Sequence, residues 1–191
     1  MQRLALFASG SGSNVQKIAE YFAHHSQIEV TLILTNNPKA GVLERASALD
    51  IPAVVFTRAQ FYESEEVVEL LKKHQINWVI LAGFLWLVPQ NLIKTYPHRI
   101  VNIHPALLPA YGGKGMYGAK VHEAVVAAGE KFSGITIHLV NEEYDKGEMV
   151  FQAQCTIEPG DTPTVVAHKV QLLEHEHFPR VIEKLVLSAH T

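Results

Sequence analysis

The sequence predicts an α/β fold, and three observations predict it. Short apolar runs rich in β-branched residues alternate with helix-forming stretches over the first hundred residues. The hydrophobic period then switches to two in residues 132–140 and 149–156. A last stretch, opened by Thr162 and Pro163, reads as one long C-terminal helix to about residue 187. With 191 residues, 48% hydrophobic and 18% charged, the chain has the material for one domain with a substantial core and lacks the composition of a disordered segment.

Residues 4–8, 30–35, 53–56, 78–82 and 100–103 each read as a buried strand. Between them, residues 14–22, 42–49, 65–74 and 90–96 carry helix formers with apolar side chains three to four apart, bounded by Ser13, Pro52, Ser64 and Pro97 as caps or stops. This β-α-β alternation means a mainly parallel central sheet with helices on both faces, a Rossmann-like domain. In residues 132–140, Ile135, Ile137 and Leu139 alternate with Thr136, His138 and Val140, and the charged turn 141–148 leads into residues 149–156. These two are expected as antiparallel edge strands. Pro163 lies in the first turn of the last helix, where its missing N–H costs nothing, and Pro179 is expected to kink or break that helix.

A formal net charge of −3 and the lack of a Lys/Arg-rich run argue against nucleic acid or an anionic membrane as the main partner. The longest apolar run, residues 78–88, is far shorter than the roughly twenty residues a spanning helix needs. No targeting signal is read at the N-terminus, and a lone Cys155 offers no disulfide framework and no Cys-based zinc site. The expected location is cytoplasmic, with Cys155 a buried strand residue.

The first strand runs into Ser9-Gly10-Ser11-Gly12-Ser13-Asn14 and then a helix. Glycines let the backbone turn sharply, and the helix start presents unpaired N–H groups and a positive dipole end to an anion, so a phosphate is expected here. The dinucleotide pattern fails, because Val15 stands where its third glycine belongs, and no Walker Gly-Lys-Ser/Thr follows. A capping turn without a ligand remains the alternative.

Asn102 and His104 lie in Asn102-Ile103-His104-Pro105, at the C-terminal end of a buried strand, which is the ligand-binding edge of an open parallel sheet. Two apart on a strand, their side chains share one side and can converge on one atom. An Asn amide can donate to a developing oxyanion, and His can also exchange a proton near neutral pH. A satisfied structural pair is an equally open reading. Asp145 can orient His104, although its spacing alone favours a solvated turn acid. No His-X-X-X-His pair with a carboxylate is present, so no metal is expected.

Together these segments resemble the phosphoribosylglycinamide formyltransferase family of folate-dependent formyltransferases. The matching motifs are Gly10-Ser11-Gly12-Ser13-Asn14, Leu81-Ala82-Gly83-Phe84, Asn102-Ile103-His104-Pro105 with Leu107-Leu108-Pro109, Ile137-His138-Leu139-Val140, the turn through Asp145 and Gly147, and Gln171 with Glu174-His175. They occur in the family's order and span nearly the whole chain.

The resemblance implies transfer of the formyl group of 10-formyltetrahydrofolate, as co-substrate, to the amine of glycinamide ribonucleotide in de novo purine (IMP) biosynthesis. It implies a catalytic trio of Asn102, His104 and Asp145, supported by His138. Asn102 and a protonated His104 are expected to stabilise the oxyanion, and Asp145 to keep His104 charged and relay the amine proton through water. Gly12, Ser13, Asn14, Gln171 and Glu174 are expected to bind the acceptor. Leu85, Trp86, Leu87 and Val88, with Asn141, Glu142, Glu143 and Tyr144, are expected to bind the folate. The acceptor phosphate part is expected in about residues 1–100 and the folate-binding and catalytic part in about 80–160 of a single domain, as a monomer or homodimer with small-molecule partners only.

Three departures accompany the resemblance. Trp86 stands where many relatives have Arg, the region 64–66 lacks an Arg that often assists with phosphate, and the segment 111–120 differs. Methionyl-tRNA formyltransferase and formyltetrahydrofolate hydrolase share the Asn-X-His-Pro chemistry. The further domain that each carries does not fit in 191 residues, and neither acceptor explains a small-phosphate loop.

Overall fold

The computed structural model describes residues 1–189. Seven strands form one sheet: β1 (Gln2–Phe7), β2 (Ile28–Thr35), β3 (Ala53–Val55), β4 (Trp78–Leu81), β5 (Ile100–His104), β6 (Phe132–Leu139) and β7 (Met149–Thr156). Their order across the sheet is β3-β2-β1-β4-β5-β6-β7. The first five pair in parallel, and β5–β6 and β6–β7 are antiparallel. The chain therefore builds outward from β1 in one direction, then crosses to its other side at β4. That reversal opens a crevice beyond the C-terminal ends of β1 and β4, where open α/β sheets bind ligands.

Both faces of the inner strands are buried, which explains their near-continuous apolar runs. Leu4 and Leu6 of β1 join one core with Val15, Ile18, Val166, Val170, Phe178 and Ile182. Ala5 and Phe7, on the opposite face, join another with Leu32, Leu34, Phe56, Phe61 and Leu71. Helices α1 (Ser13–Phe22) and α7 (Pro163–Ser188) cover the first face, and α4 (Glu66–Lys73) contributes Val67, Val68 and Leu71 to the second.

Helices α2 (Val42–Ala48) and α5 (Gln90–Thr95) lie where the periodicity puts them. Two helices escape it. One is α3 (Arg58–Tyr62), five residues held by a reciprocal capping box between Thr57 and Gln60, too short to show a period. The other is α6 (Ala119–Ala127), whose alanine-rich run follows a glycine-rich loop. Pro179 does not break α7, which continues to Ser188. Phe178, Pro179 and Ile182 are all buried, and that packing offsets the backbone hydrogen bond the proline forgoes. Thr162 caps the helix, its hydroxyl accepting from the Val165 N–H at 3.3 Å. Cys155 is only partly buried, because β7 is the edge strand. Among the described residues no helix is long and apolar enough to cross a membrane.

Candidate active site

Outside the sheet's reversal point lies a cavity of about 990 Å³, lined at one end by Ser9 to Asn14 and at the other by Asn102, His104 and Asp145. The two loops that flank the reversal are tied together. The Ser9 N–H donates to the Gly83 carbonyl at 3.0 Å, and the Leu85 N–H donates to the Ser9 hydroxyl at 3.1 Å.

At the first end, Gly12 enters α1 with φ of 74°, and a Cβ there would lie 2.5 Å from the Val42 side chain and 2.9 Å from its Cα. Both the left-handed backbone and the close approach require glycine. Ser13, expected as a cap, is instead the first helical residue, and no side chain caps the helix. Its first-turn N–H groups are thus left to water or an anion. Arg45 secures this loop from outside, its Nε donating to the Ser11 carbonyl at 2.7 Å and its guanidinium also reaching Gln16. From α7, Gln171 Nε2 donates to the Ser13 hydroxyl at 3.2 Å, and Glu174 accepts from Asn14 Nδ2 at 2.9 Å. Burial raises the Glu174 carboxyl above its ordinary pKa, against the lowering effect of Asn14. All five expected acceptor residues therefore line one end of the cavity. Among the described residues the cavity wall has one Lys or Arg side chain, Lys114, in the glycine-rich loop before α6.

At the other end, β5 and β6 set the chemistry. Asn102 and His138 are register partners, and Asn102 Nδ2 lies 3.0 Å from His138 Nε2. His138 Nδ1 faces the Leu139 carbonyl at 3.1 Å. The carbonyl can only accept, so the neutral ring carries its proton on Nδ1, and Nε2 accepts from Asn102. This fixes the Asn102 amide as a donor, with a second N–H left over.

His104 is 4% exposed, and its Nε2 donates to the Tyr111 carbonyl at 2.7 Å. Its Nδ1 lies 3.5 Å from Asp145 Oδ2, and Asp145 Oδ1 lies 3.6 Å from His138 Nε2. The Gly113 N–H donates to Asp145 Oδ2 at 2.9 Å. Burial raises the Asp145 pKa, but the N–H groups that the His138 and His104 rings turn toward it in their charged forms, and the Gly113 N–H, together outweigh it, and the carboxyl titrates below its ordinary value. For His104, burial is the larger effect and holds its pKa below the ordinary imidazole value despite Asp145 and Tyr111. The expectation that Asp145 keeps His104 charged is thereby corrected: Asp145 does raise the His104 pKa, but desolvation of the ring is the larger effect. The tautomer is set by Tyr111, so Nδ1 is the nitrogen free to take a proton.

The wall between the two ends includes Leu85, Trp86, Leu87 and Val88 from the β4 loop, and Glu143 and Tyr144 from the loop after β6. Asn141 and Glu142 are not on it. Asn141 accepts from the Glu143 N–H at 2.9 Å and donates to the Lys146 carbonyl at 3.1 Å, so it shapes the turn. Glu142 accepts from Gln90 Nε2 at 2.9 Å, fastening the turn to α5. Trp86 both lines the cavity and packs among Phe56, Phe61, Tyr62 and Phe84, and Arg58 lies over the Tyr62 and Trp86 rings at 4.7 and 5.7 Å. Packing and lining are thus not alternatives for this side chain. Among the described residues no group of three His, Cys, Asp or Glu side chains is arranged to hold a metal ion.

Sequence reasoning missed the Tyr111 carbonyl and Gly113 N–H, which are backbone groups that no residue type announces. It also missed His122, a buried member of the cavity wall that sits in the unexpected α6.

A family model described as Formyl transferase matches residues 2–182 of the chain. The chain is 44% identical over 187 residues to the chloroplastic phosphoribosylglycinamide formyltransferase of Arabidopsis thaliana, covering 95% of itself and 64% of the plant protein, less than two thirds of that relative's length. It is 34% identical over 192 residues to the phosphoribosylglycinamide formyltransferase of Bacillus subtilis (strain 168), covering 97% of itself and 95% of that protein. In three dimensions it is similar to the crystal structure of phosphoribosylglycinamide formyltransferase from Bacillus halodurans, with a TM-score of 0.87 and 39% identity over 98% of this chain and 97% of the other.

Proposed function

The chain belongs to the formyl transferase family, and from that premise we propose that it transfers the formyl group of 10-formyltetrahydrofolate to the amine of glycinamide ribonucleotide, a step of purine biosynthesis. The observation that carries this reading is the convergence of the Asn102 amide, the free Nδ1 of His104 and the Asp145 carboxylate in one cavity that also holds an uncapped helix start behind a glycine-rich loop. A phosphorylated amine and a formyl donor can share such a cavity, with the phosphate on the Gly12, Ser13 and Asn14 end and the folate ring against residues 85–88 and the turn at 141–145.

In this reading the neutral amine attacks the formyl carbon, and the carbonyl oxygen becomes an oxyanion. The remaining N–H of Asn102 Nδ2 donates to it, oriented because the other is spent on His138. His104 enters neutral and takes the amine proton on Nδ1, with Asp145 stabilising the imidazolium that forms. The tetrahedral intermediate collapses when the proton passes to the departing folate nitrogen, directly or through water. Gln171 and Glu174 hold the acceptor through the same face of α7 that meets Ser13 and Asn14. The chemistry calls for no metal. A cytoplasmic location and small-molecule partners alone are part of this reading.

The test is a spectroscopic assay of formyl transfer with glycinamide ribonucleotide, an aminoacylated tRNA and water as competing acceptors, with His104→Ala as the control. Transfer to the ribonucleotide alone, lost in the variant, is the expected result. Transfer to another acceptor, or none at all, overturns the reading.

A further inference from the structure

His122 is a buried histidine that the mechanism above does not use. It is 7% exposed, and its Nδ1 is buried with no hydrogen-bond partner among the described residues. Its side chain lies on the cavity wall with Gly118 and Ala119, along one face of α6. Val121 and Val125 pack beside Ala106 and anchor that helix under the loop that follows β5. With Nδ1 enclosed, Nε2 is the nitrogen open to the cavity.

A protonated ring would bury an N–H without an acceptor, and an orphaned buried N–H is rarer and costlier than an orphaned lone pair. The favoured form is therefore neutral, with its lone pair on Nδ1 and its N–H on Nε2. Burial, and next the neighbouring His104, hold the ring's pKa below the ordinary imidazole value. The result is a fixed, uncharged donor aimed into the reaction cavity next to His104. Such a donor suffices for a neutral carbonyl, and the acceptor's phosphate already has the uncapped start of α1 at the other end of the cavity. On the reading of the site given above, the acceptor's amine must lie at His104 Nδ1, and its amide carbonyl is attached through a single carbon to that amine. The formyl oxygen already has Asn102.

We infer that His122 Nε2–H binds the amide carbonyl of the acceptor and so selects an α-amino amide beside the catalytic groups, an inference that rests on the proposed acceptor. His122 is then a substrate-binding, specificity-determining residue. It grips the acceptor equally before and during the reaction, so its loss raises KM and spares kcat.

The experiment compares wild type, His122→Leu and His122→Gln with glycinamide ribonucleotide and with its thioamide analogue, whose sulfur accepts hydrogen bonds weakly. Expected for His122→Leu is an acceptor KM about tenfold higher, the loss of one neutral hydrogen bond, with kcat and the KM for the formyl folate within twofold. His122→Gln, which retains an N–H near Nε2, should recover most of the loss. The thioamide should raise the wild-type KM and leave that of His122→Leu nearly unchanged. Equal acceptor KM values in wild type and His122→Leu overturn the inference, as does a fall in kcat at constant KM, or equal thioamide penalties in the two proteins. If His122→Leu fails to fold, the same comparison is read on His122→Gln, where a KM above tenfold or a full thioamide penalty on a raised KM overturns it. A wild-type protein that formylates no ribonucleotide overturns the underlying reading itself, a result distinct from any of these.

Discussion

Asn102 and His138 sit opposite each other in the antiparallel register of β5 and β6, and the 3.0 Å contact from Nδ2 to Nε2 turns the Asn102 amide into an oriented donor. Neither residue alone does this. The Leu139 carbonyl dictates the His138 tautomer, and the tautomer dictates which end of the amide faces it.

Replacing Asn102 by Ala should lower kcat by about a hundredfold to a thousandfold, the range for loss of one oxyanion donor. His138→Phe should cost about tenfold in kcat, because the amide is kept but no longer oriented. Steady-state kinetics with both substrates saturating provide the measurement. A His138→Phe loss that persists in full on top of Asn102→Ala would sink the argument that His138 acts through Asn102.

His104 acts as a base when neutral, so activity should rise with pH through its titration and level off above it. Burial, opposed by Asp145, holds that pKa below the ordinary imidazole value, and the acidic limb of the profile should lie there. In Asp145→Asn the raising influence is removed, so the limb should move to still lower pH while kcat falls. A limb that moves to higher pH would contradict the assignment. A kcat profile in wild type and variant decides it.

The same histidines link stability to pH. His104 and His122 are buried with folded-state pKa values lowered from 6.5, so the unfolded chain binds protons that the folded chain does not. Their contribution is fully present above about pH 6.5 and is lost as pH falls below it, until the lowered folded pKa is reached. Each group costs up to about 1.4 kcal/mol per pH unit within that window. His122→Gln removes one of the two, and its Tm should fall less steeply than that of wild type between pH 6.5 and 5. Parallel curves by differential scanning calorimetry would refute this.

Gly12→Ala should damage the acceptor end selectively. Its Cβ meets Val42 at 2.5 Å at a φ of 74°, and strain of this kind costs about 1–3 kcal/mol. The expected outcome is an acceptor KM at least tenfold higher with the formyl folate KM little changed. Gly147→Ala, whose Cβ would collide with the Leu139 carbonyl oxygen, should disrupt the turn that carries Asp145 and lower kcat sharply. Kinetics on both variants, with thermal melts, separate the two effects.

Glu174→Gln should be nearly neutral for stability, since the new side chain can still accept from Asn14. Glu174→Leu should cost about 1–3 kcal/mol, because the Asn14 Oδ1 is already buried without a partner and Nδ2 would join it. Denaturant unfolding of both variants tests the difference.

Most of the fold was legible because its signals are local. All seven strands announce themselves as apolar runs or as alternation by twos, and Thr162-Pro163 marks the start of the last helix. What escaped has a physical reason: α3 is shorter than two helical turns, and α6 is rich in alanine and weak in apolar contrast. Pro179 misled because a local cost was outweighed by burial that no local pattern displays. In the site, Asn102 and His104 could be paired from strand periodicity, whereas Asp145 needed the resemblance to lift it above a solvated turn acid.

The sequence by itself determined the α/β class, the glycine-rich turn before α1 and the side chains able to donate, accept or exchange protons, since these depend on residue type and near-neighbour spacing. Only the tertiary structure decided which of them meet. The crossing from β3 to β4 opens the crevice, the β5–β6 register sets Asn102 against His138, and α7 brings Gln171 and Glu174 back to residues 13 and 14. It also decided protonation, because the pKa of His104 depends on how completely water is excluded from it, and that is a property of the packed core rather than of any segment.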